Sequence, residues 1–399
     1  MLEIFSVSNF LSIKEKITIT MISESISELP KNLYKTPYQK FELLKGLGLF
    51  GLNSSGKSNI LKAFQFCKSF ILGNTGGISS DNIEGLEPFR LDDDTLKQPS
   101  EFEFIFWVNE NRYRYGFKCT QKTISEEWLL VIENKKEKVI YERQQDFYYF
   151  GREYKKLMEK FSAKVRYNEL FITFCTRISA EFGEDVTSWF KNLDIFIDYN
   201  SKDMAVETMK MLKVPKHQLQ LETIMKHSDF GIETINLISL GNNISLETGH
   251  KIKRDKHDTD IVWFNLLENE SLGTIKYFGL LGPILKTLQN GGLLIIDEID
   301  SGFHAELGIH LIGLFYNTFN DKSKPQLIFS SHNNQIWDRK TLRRDQQIHV
   351  EKNEFGITST KRTYDYKVRK SKSIKRSYDS GELSQVPTFR QLDLFDDFN

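Results

Sequence analysis

The 399 residues carry 54 Lys or Arg and 54 Asp or Glu, a formal net charge of zero, so no global field draws the chain onto nucleic acid or an anionic membrane. With 39% hydrophobic residues it can bury a real core, as one large α/β domain with insertions or as two domains. Cys67, Cys119 and Cys175 lie far apart without metal-ligand spacing, which argues against zinc or a disulfide framework and fits a reducing compartment. The N-terminal MLEIFSVSNFLSIKEK is too polar for a signal peptide, and no apolar run of about 18 residues occurs; the expectation is a cytoplasmic protein with no membrane partner.

Taken in order, Leu2 to Phe10 and Ile13 to Met21 alternate apolar and polar residues and predict two antiparallel strands. Residues 22 to 40, rich in Ser, Lys, Pro and Glu, read as a connecting loop, and Gly46 to Phe50 as a short apolar strand. The stretch FGLNSSGKSNILKAF, Phe50 to Phe64, then places Gly51, Gly56, Lys57 and Ser58 at the GxxxxGK[ST] spacing of a phosphate-binding loop. Ile60, Leu61, Phe64 and Ile71 recur at helical spacing after it, so the loop joins a strand to a helix N-terminus, the context the motif needs.

Each position has a physical reason. Glycines let the backbone curl around an anion with its N–H groups inward, and the helix dipole adds partial positive charge there. Lys57 would reach the β- and γ-phosphates, and the Ser58 hydroxyl suits Mg²⁺, a hard cation that prefers oxygen. Asn53, Ser54, Ser55 and Asn59 complete the candidate nucleotide-binding set. The bland alternative, a chance match in a glycine-containing turn, does not account for the strand and helix on either side.

Further along, GNTGGISSDN at 73 to 82 is a glycine/serine break, and EFEFIFWVNENRYRYGFKCT at 101 to 120 reads as a hairpin turning at Asn109 to Asn111. Between 121 and 250 two short strands, near Trp128 to Ile132 and Val139 to Arg143, precede helical stretches near Lys155 to Phe161, Glu169 to Phe190 and Ser201 to Lys226. The expected division is therefore 1–120 for the first half of the core, 121–250 for a mostly helical insertion lobe, and 251–399 for the second half. No segment sustains the heptads of a long coiled coil.

The second half opens with a helix over 268 to 288. Leu293 to Ile296 then predict a buried strand that delivers Asp297 and Glu298 at its carboxyl end. A helix from about Ala305 to Phe319, a strand Gln326 to Ser330 and the tripeptide Ser331, His332, Asn333 follow. Strand, helix, strand with charged groups at strand ends is a parallel-sheet plan, in which ligands bind beyond the carboxyl ends. An Asp-Glu pair after an apolar strand is often only a solvated strand end; its place between a phosphate loop and a Ser-His strand end favours function.

The order of these motifs resembles the ABC-type ATPases of the SMC, RecF and OLD lineage. More narrowly, the chain resembles the RloA-like and AbiL-like AAA family ATPases of abortive-infection and other phage-defence operons. That likeness rests on NFLSI at Asn9 to Ile13, GLNSSGKSN at Gly51 to Asn59, ESLGT at Glu270 to Thr274, DEIDSGFH at Asp297 to His304, and LRRDQQIHVEKN at Leu342 to Asn353. It is weakest over residues 121 to 250. The resemblance implies an α/β P-loop NTPase with an ABC-type core, a mainly parallel central sheet with an antiparallel edge sheet, and a helical insertion.

It also implies Mg²⁺-dependent ATP hydrolysis. Asp297, with Ser58, would hold the metal, Glu298 would polarise the attacking water, and His332 would hydrogen-bond the γ-phosphate. Ser271 and Gly273 would face the γ-phosphate bound by a second copy, so that a head-to-tail homodimer completes the site. ESLGT departs from the LSGGQ of transporters by lacking its second glycine. Gln98 lies in the interval of a Q-loop glutamine, with nothing around it to fix that assignment.

Other features have plainer readings. His304 and His310 lack the i, i+4 spacing of a zinc pair and read as structural or surface groups. Phe10 could stack on adenine, though an aromatic in an amphipathic strand is more often core. The basic run Lys361 to Arg376 could touch nucleic acid or a partner protein, but a solvated charge run is the commoner case. Two functions compete: an ATP-driven switch controlling a separate nuclease or Toprim effector, and an ATPase of DNA repair or a nuclease complex acting on DNA directly. Only about 65 residues follow His332, below the usual size of a domain, so an appended Toprim nuclease is not expected.

Overall fold

The structure, a computed structural model, describes residues 1–36, 41–73, 82–133, 136–240, 243–255, 258–316, 322–337 and 341–366. Its centre is a six-stranded sheet in the spatial order Leu193–Phe196, Leu293–Ile296, Gln326–Ser331, Gly46–Phe50, Gln347–Lys352, Thr358–Arg362. All neighbours pair parallel except the last two strands, which pair antiparallel. Gly46–Phe50, Leu293–Ile296 and Gln326–Ser331 are buried at every residue. Their apolar runs therefore do not alternate, as expected of parallel strands covered on both faces.

A seven-stranded antiparallel sheet stands beside it, in the order Phe147–Phe150, Lys136–Gln144, Ile124–Glu133, Asn111–Cys119, Ser100–Val108, Leu2–Ser8, Ile17–Thr20. Here alternation rules. Phe102, Phe104 and Phe106 point into the core, while Glu103 on the opposite face accepts hydrogen bonds from Arg114 and Trp128. The apolar face packs on the helix Lys57–Ile71 through Phe5 against Phe64 at 3.9 Å, with Phe104 at 4.6 Å from Phe5. Phe10 belongs to this core, against Phe66 and Phe102. One cluster of buried side chains fills this side of the molecule, and a second surrounds the helix Leu272–Asn290.

In that second cluster the helix Ser201–Met211 lies close along Leu272–Asn290. A Cβ on Gly282 would sit 2.2 Å from the Thr208 hydroxyl, and Thr208 donates to the Gly279 carbonyl at 2.8 Å. The two glycines permit backbone approach that any larger residue would block.

The expected strands at the N-terminus, the hairpin after 100, and the strands at Gly46–Phe50 and Leu293–Ile296 are present. The reading of 121–250 as a mostly helical lobe needs correction. Five helices lie there, Lys155–Ser162, Phe171–Arg177, Glu181–Lys191, Ser201–Met211 and Pro215–Lys226, but the stretch also feeds three sheets. Its first three strands extend the antiparallel sheet, Leu193–Phe196 hydrogen-bonds to Leu293–Ile296 in the central sheet, and Ile232–Leu240 and Asn243–Asp255 form a third sheet with Asp258–Asn265. For Leu193–Phe196 the physical reason is that its partner, Leu293–Ile296, lies about 100 residues away, which local periodicity does not register; the other strands of the stretch pair with their neighbours in sequence.

Residues 22–40 are likewise not all loop, since Leu33–Lys35 pairs with Glu42–Leu44. Most of the glycine/serine break, and the basic run from Lys367 onward with the acidic end, lie outside the described residues. Among the described residues no helix is long and apolar enough to cross a membrane, and the three cysteines are free and buried.

Candidate nucleotide-binding site

At the carboxyl end of Gly46–Phe50 the chain turns through Gly51, φ 154°, Ser54, φ 63°, and Gly56, φ 108°. Both glycines are required twice over. Their φ values disfavour L side chains, and a Cβ on Gly51 would lie 2.2 Å from the Val350 carbonyl oxygen, one on Gly56 2.1 Å from the Thr358 hydroxyl. The hairpin formed by Gln347–Lys352 and Thr358–Arg362 is thus the wall against which the loop is shaped. Thr358 also donates to the Ser55 carbonyl at 3.2 Å and exchanges a 2.7 Å hydrogen bond with Ser12, to which Asn59 donates at 2.7 Å.

Lys57 is 6% exposed and donates to the Gly51 and Leu52 carbonyls, each at 2.8 Å. Burial pulls its ammonium below the usual lysine range, and the nearby carboxylates of Asp297, Glu298 and Asp300 oppose that shift. Gly56 caps the helix Lys57–Ile71 with no side-chain hydrogen bond, which leaves its first N–H groups directed toward the loop's concavity.

Next to the loop, Ser330 on Gln326–Ser331 arranges the acidic pair. Its hydroxyl donates to Asp297 Oδ1 and accepts from the Glu298 N–H at 2.8 Å. Glu298 itself has φ 48°, a left-handed conformation that is uncommon off glycine and clusters at functional sites. A cavity of about 470 Å³ is lined by Asn53 to Asn59, Glu298, His332 and Lys352. It gathers every cis residue expected to meet nucleotide except Gly51, which packs against the Val350 carbonyl, and Asp297, which is 7% exposed and hydrogen-bonded to Ser330.

Ser271 and Gly273 do not line this cavity. Ser271 is the N-cap of Leu272–Asn290: its hydroxyl oxygen accepts from the Thr274 N–H at 3.1 Å. Gly273 packs on the segment after the acidic pair, where a Cβ would lie 2.6 Å from the Gly302 carbonyl oxygen. Gln98 is exposed and away from the cavity, its carbonyl accepting from Asn9 at 2.9 Å. His310 is tied to the Tyr277 hydroxyl at 2.7 Å, and His304 is exposed.

Several site residues escape sequence reasoning. Lys276, from Leu272–Asn290, donates to the Glu298 carbonyl at 3.0 Å and to Ser301 at 2.6 Å, so the helix begun by Ser271 is tied to the turn that carries the acidic pair. Its ammonium lies 5.3 Å from the centre of the Tyr199 ring. Burial first, and then the carboxylates of Asp297, Glu298 and Asp300, raise the Tyr199 phenol above its usual range. Ser330 was detectable only as a hydroxyl within a fully buried strand. The LRRDQ segment is structural: Arg343, wholly buried, pairs with Asp345 at 2.8 Å and donates to the Glu24, Ile26 and Glu28 carbonyls. Gln346 donates to the Gly46 carbonyl at 2.7 Å and so fixes the start of the P-loop strand.

The chain is similar over 90% of its length to the SMC head domain from Thermotoga maritima, 98% of which is covered, at 13% identity and a TM-score of 0.44. No curated protein matches the sequence. The model of the family described as "AAA domain, putative AbiEii toxin, Type IV TA system" matches residues 47–338. That span starts inside the P-loop strand and ends past His332, taking in the phosphate loop, the acidic pair and the strands between them, and it makes the chain a member of this AAA-domain family.

Proposed function

We propose that the chain binds Mg-ATP at Gly51 to Asn59, hydrolyses it slowly, and acts as a switch in an anti-phage system of the abortive-infection kind. Two copies pair head to tail around nucleotide and thereby control a separate effector of nuclease or Toprim type. The observation that carries the reading is the convergence of Lys57, Ser58, Glu298 and His332 on one cavity. The family's description as an AbiEii-type toxin of a type IV toxin–antitoxin system supports the defence setting.

The oxygen donors fit the metal. Ser58 and Asp297 offer one hydroxyl and one carboxylate, the sparse set Mg²⁺ takes when phosphate oxygens and water supply the rest; bound there, the ion would neutralise charge on the β- and γ-phosphates. Lys57 and the helix N–H groups hold the phosphates. Glu298, its backbone fixed by Ser330, accepts a proton from the attacking water, and His332 hydrogen-bonds the terminal phosphate. The Ser271 end of a second copy closes over that phosphate, adding donors where charge develops.

Titration calorimetry with Mg-ATP on the wild type and on Lys57→Ala tests the reading. Loss of binding by about a hundredfold or more is expected, because the charge-assisted contacts to two phosphates go together. Unchanged affinity would remove it. Nucleotide-dependent binding to duplex DNA ends at low salt, with no effect of nucleotide on subunit association, would favour the DNA-metabolism ATPase instead.

A further inference from the structure

The strand Gln347–Lys352 ends beside the phosphate loop, and its last residue is a cation. The placement is clamped at two points. Upstream, His349 pairs in register with Phe50, and the Val350 carbonyl occupies the space a Gly51 side chain would need. Across the hairpin, Lys352 pairs with Thr358, whose hydroxyl fills the space beside Gly56 and binds the Ser55 carbonyl. Val350, two residues before Lys352, and Thr358, its cross-strand partner, therefore pack against the two glycines of the loop and fix the strand end that carries Lys352 beside it.

Lys352 lines the 470 Å³ cavity together with the loop, Glu298 and His332, and also an adjoining cavity of about 180 Å³ against Leu52 to Ser55. Its half-buried side chain makes no ion pair or hydrogen bond with another described residue. Within the same arm, the Ser55 hydroxyl is buried with no hydrogen-bond partner among the described residues. A buried hydroxyl lacking a partner is uncommon in a folded protein and calls for a ligand or ordered water.

We propose that Lys352 is a second phosphate-binding cation of this site, and that it engages the terminal phosphate of a nucleoside triphosphate. The proposal rests on nucleotide binding at the P-loop. The inner phosphates belong to the helix end of such a loop and the outer one to the side where the lysine and the attacking water meet. Lys352 lies on the leading arm, Leu52 to Ser55, and shares the cavity with Glu298 and His332, so its charge meets the phosphate that a diphosphate lacks. In the sequence Lys352 stands out only as part of the Leu342 to Asn353 likeness, with no role attached, because it lies about 300 residues from the loop and past the span that the family model matches.

The test uses the full-length Glu298→Gln protein, in which hydrolysis does not interfere, titrated with Mg-ATP and with Mg-ADP. Lys352→Ala in that background should weaken ATP binding about tenfold or more, the scale of one charge-assisted contact, and leave ADP within about twofold. Lys352→Met, which keeps the apolar stem, should reproduce the loss, and Lys352→Arg should recover most of it. An equal loss for both nucleotides, or none, overturns the assignment while the P-loop reading stands. If the parent protein binds neither nucleotide, both readings fall.

Discussion

The helix Lys57–Ile71 starts at Gly56 with no side chain capping its first N–H groups, whereas Leu272–Asn290 starts at Ser271, whose hydroxyl accepts from the Thr274 N–H. The first helix end is walled in by a hairpin, a buried lysine and an acidic pair. The second faces outward, with Leu272 beside it 72% exposed. Orphan N–H groups at a helix start need a partner. The P-loop end has no side chain in that role and opens onto a cavity, while the other end partly satisfies itself, since the Ser271 hydroxyl accepts from the Thr274 N–H and shares a 2.9 Å hydrogen bond with the Thr274 hydroxyl. Under the proposed function, the ligand of the first end is nucleotide and that of the second is a phosphate held by another copy. The link between them is Lys276, which ties the second helix to the Glu298 carbonyl.

Removing the wholly buried Arg343 side chain should have the largest effect. Arg343→Ala leaves the buried Asp345 carboxylate without its cation and with only the Glu24 N–H donating to it, and strips three carbonyls of their donor; a denaturant melt should show a loss of about 3–5 kcal/mol. Glu298→Gln comes next: nucleotide binding persists while hydrolysis falls about a hundredfold or more, about 2.7 kcal/mol in the barrier. Single-turnover hydrolysis at the wild-type rate would make Glu298 only a strand-end carboxylate.

Much of this half of the comparison was legible from residue order. Gly46–Phe50 and Leu293–Ile296 announce themselves as unbroken apolar runs, and the loop glycines by spacing. Ser330, Lys276, Tyr199 and Thr358 do not, because each reaches the site through tertiary contacts and leaves no period in its own segment. The five helices between 155 and 226 show 3.6-residue patterning, yet the strand Leu193–Phe196 between them is defined only by its partner Leu293–Ile296. The fold class was therefore readable from motif order, and the supports of the site were not.

Smaller effects sharpen the contrast. Ser330→Ala strips the Glu298 N–H and Asp297 Oδ1 of their shared partner; about 1–3 kcal/mol of stability should be lost, and hydrolysis should fall more than ATP affinity. Ser271→Ala removes a cap and should cost about 1 kcal/mol, seen as a thermal midpoint a few degrees lower. A much larger loss of hydrolysis than of stability in that variant would show the hydroxyl working on phosphate as well as on Thr274.

The most direct test of the central claim, that the two helix ends meet across two copies of the chain, is the mass of Glu298→Gln by light scattering with Mg-ATP and with Mg-ADP. The account predicts a dimer mass with ATP, a monomer mass with ADP, and loss of the ATP-dependent dimer on adding Ser271→Arg. An unchanged mass with either nucleotide, together with normal hydrolysis by Ser271→Arg alone, would contradict it.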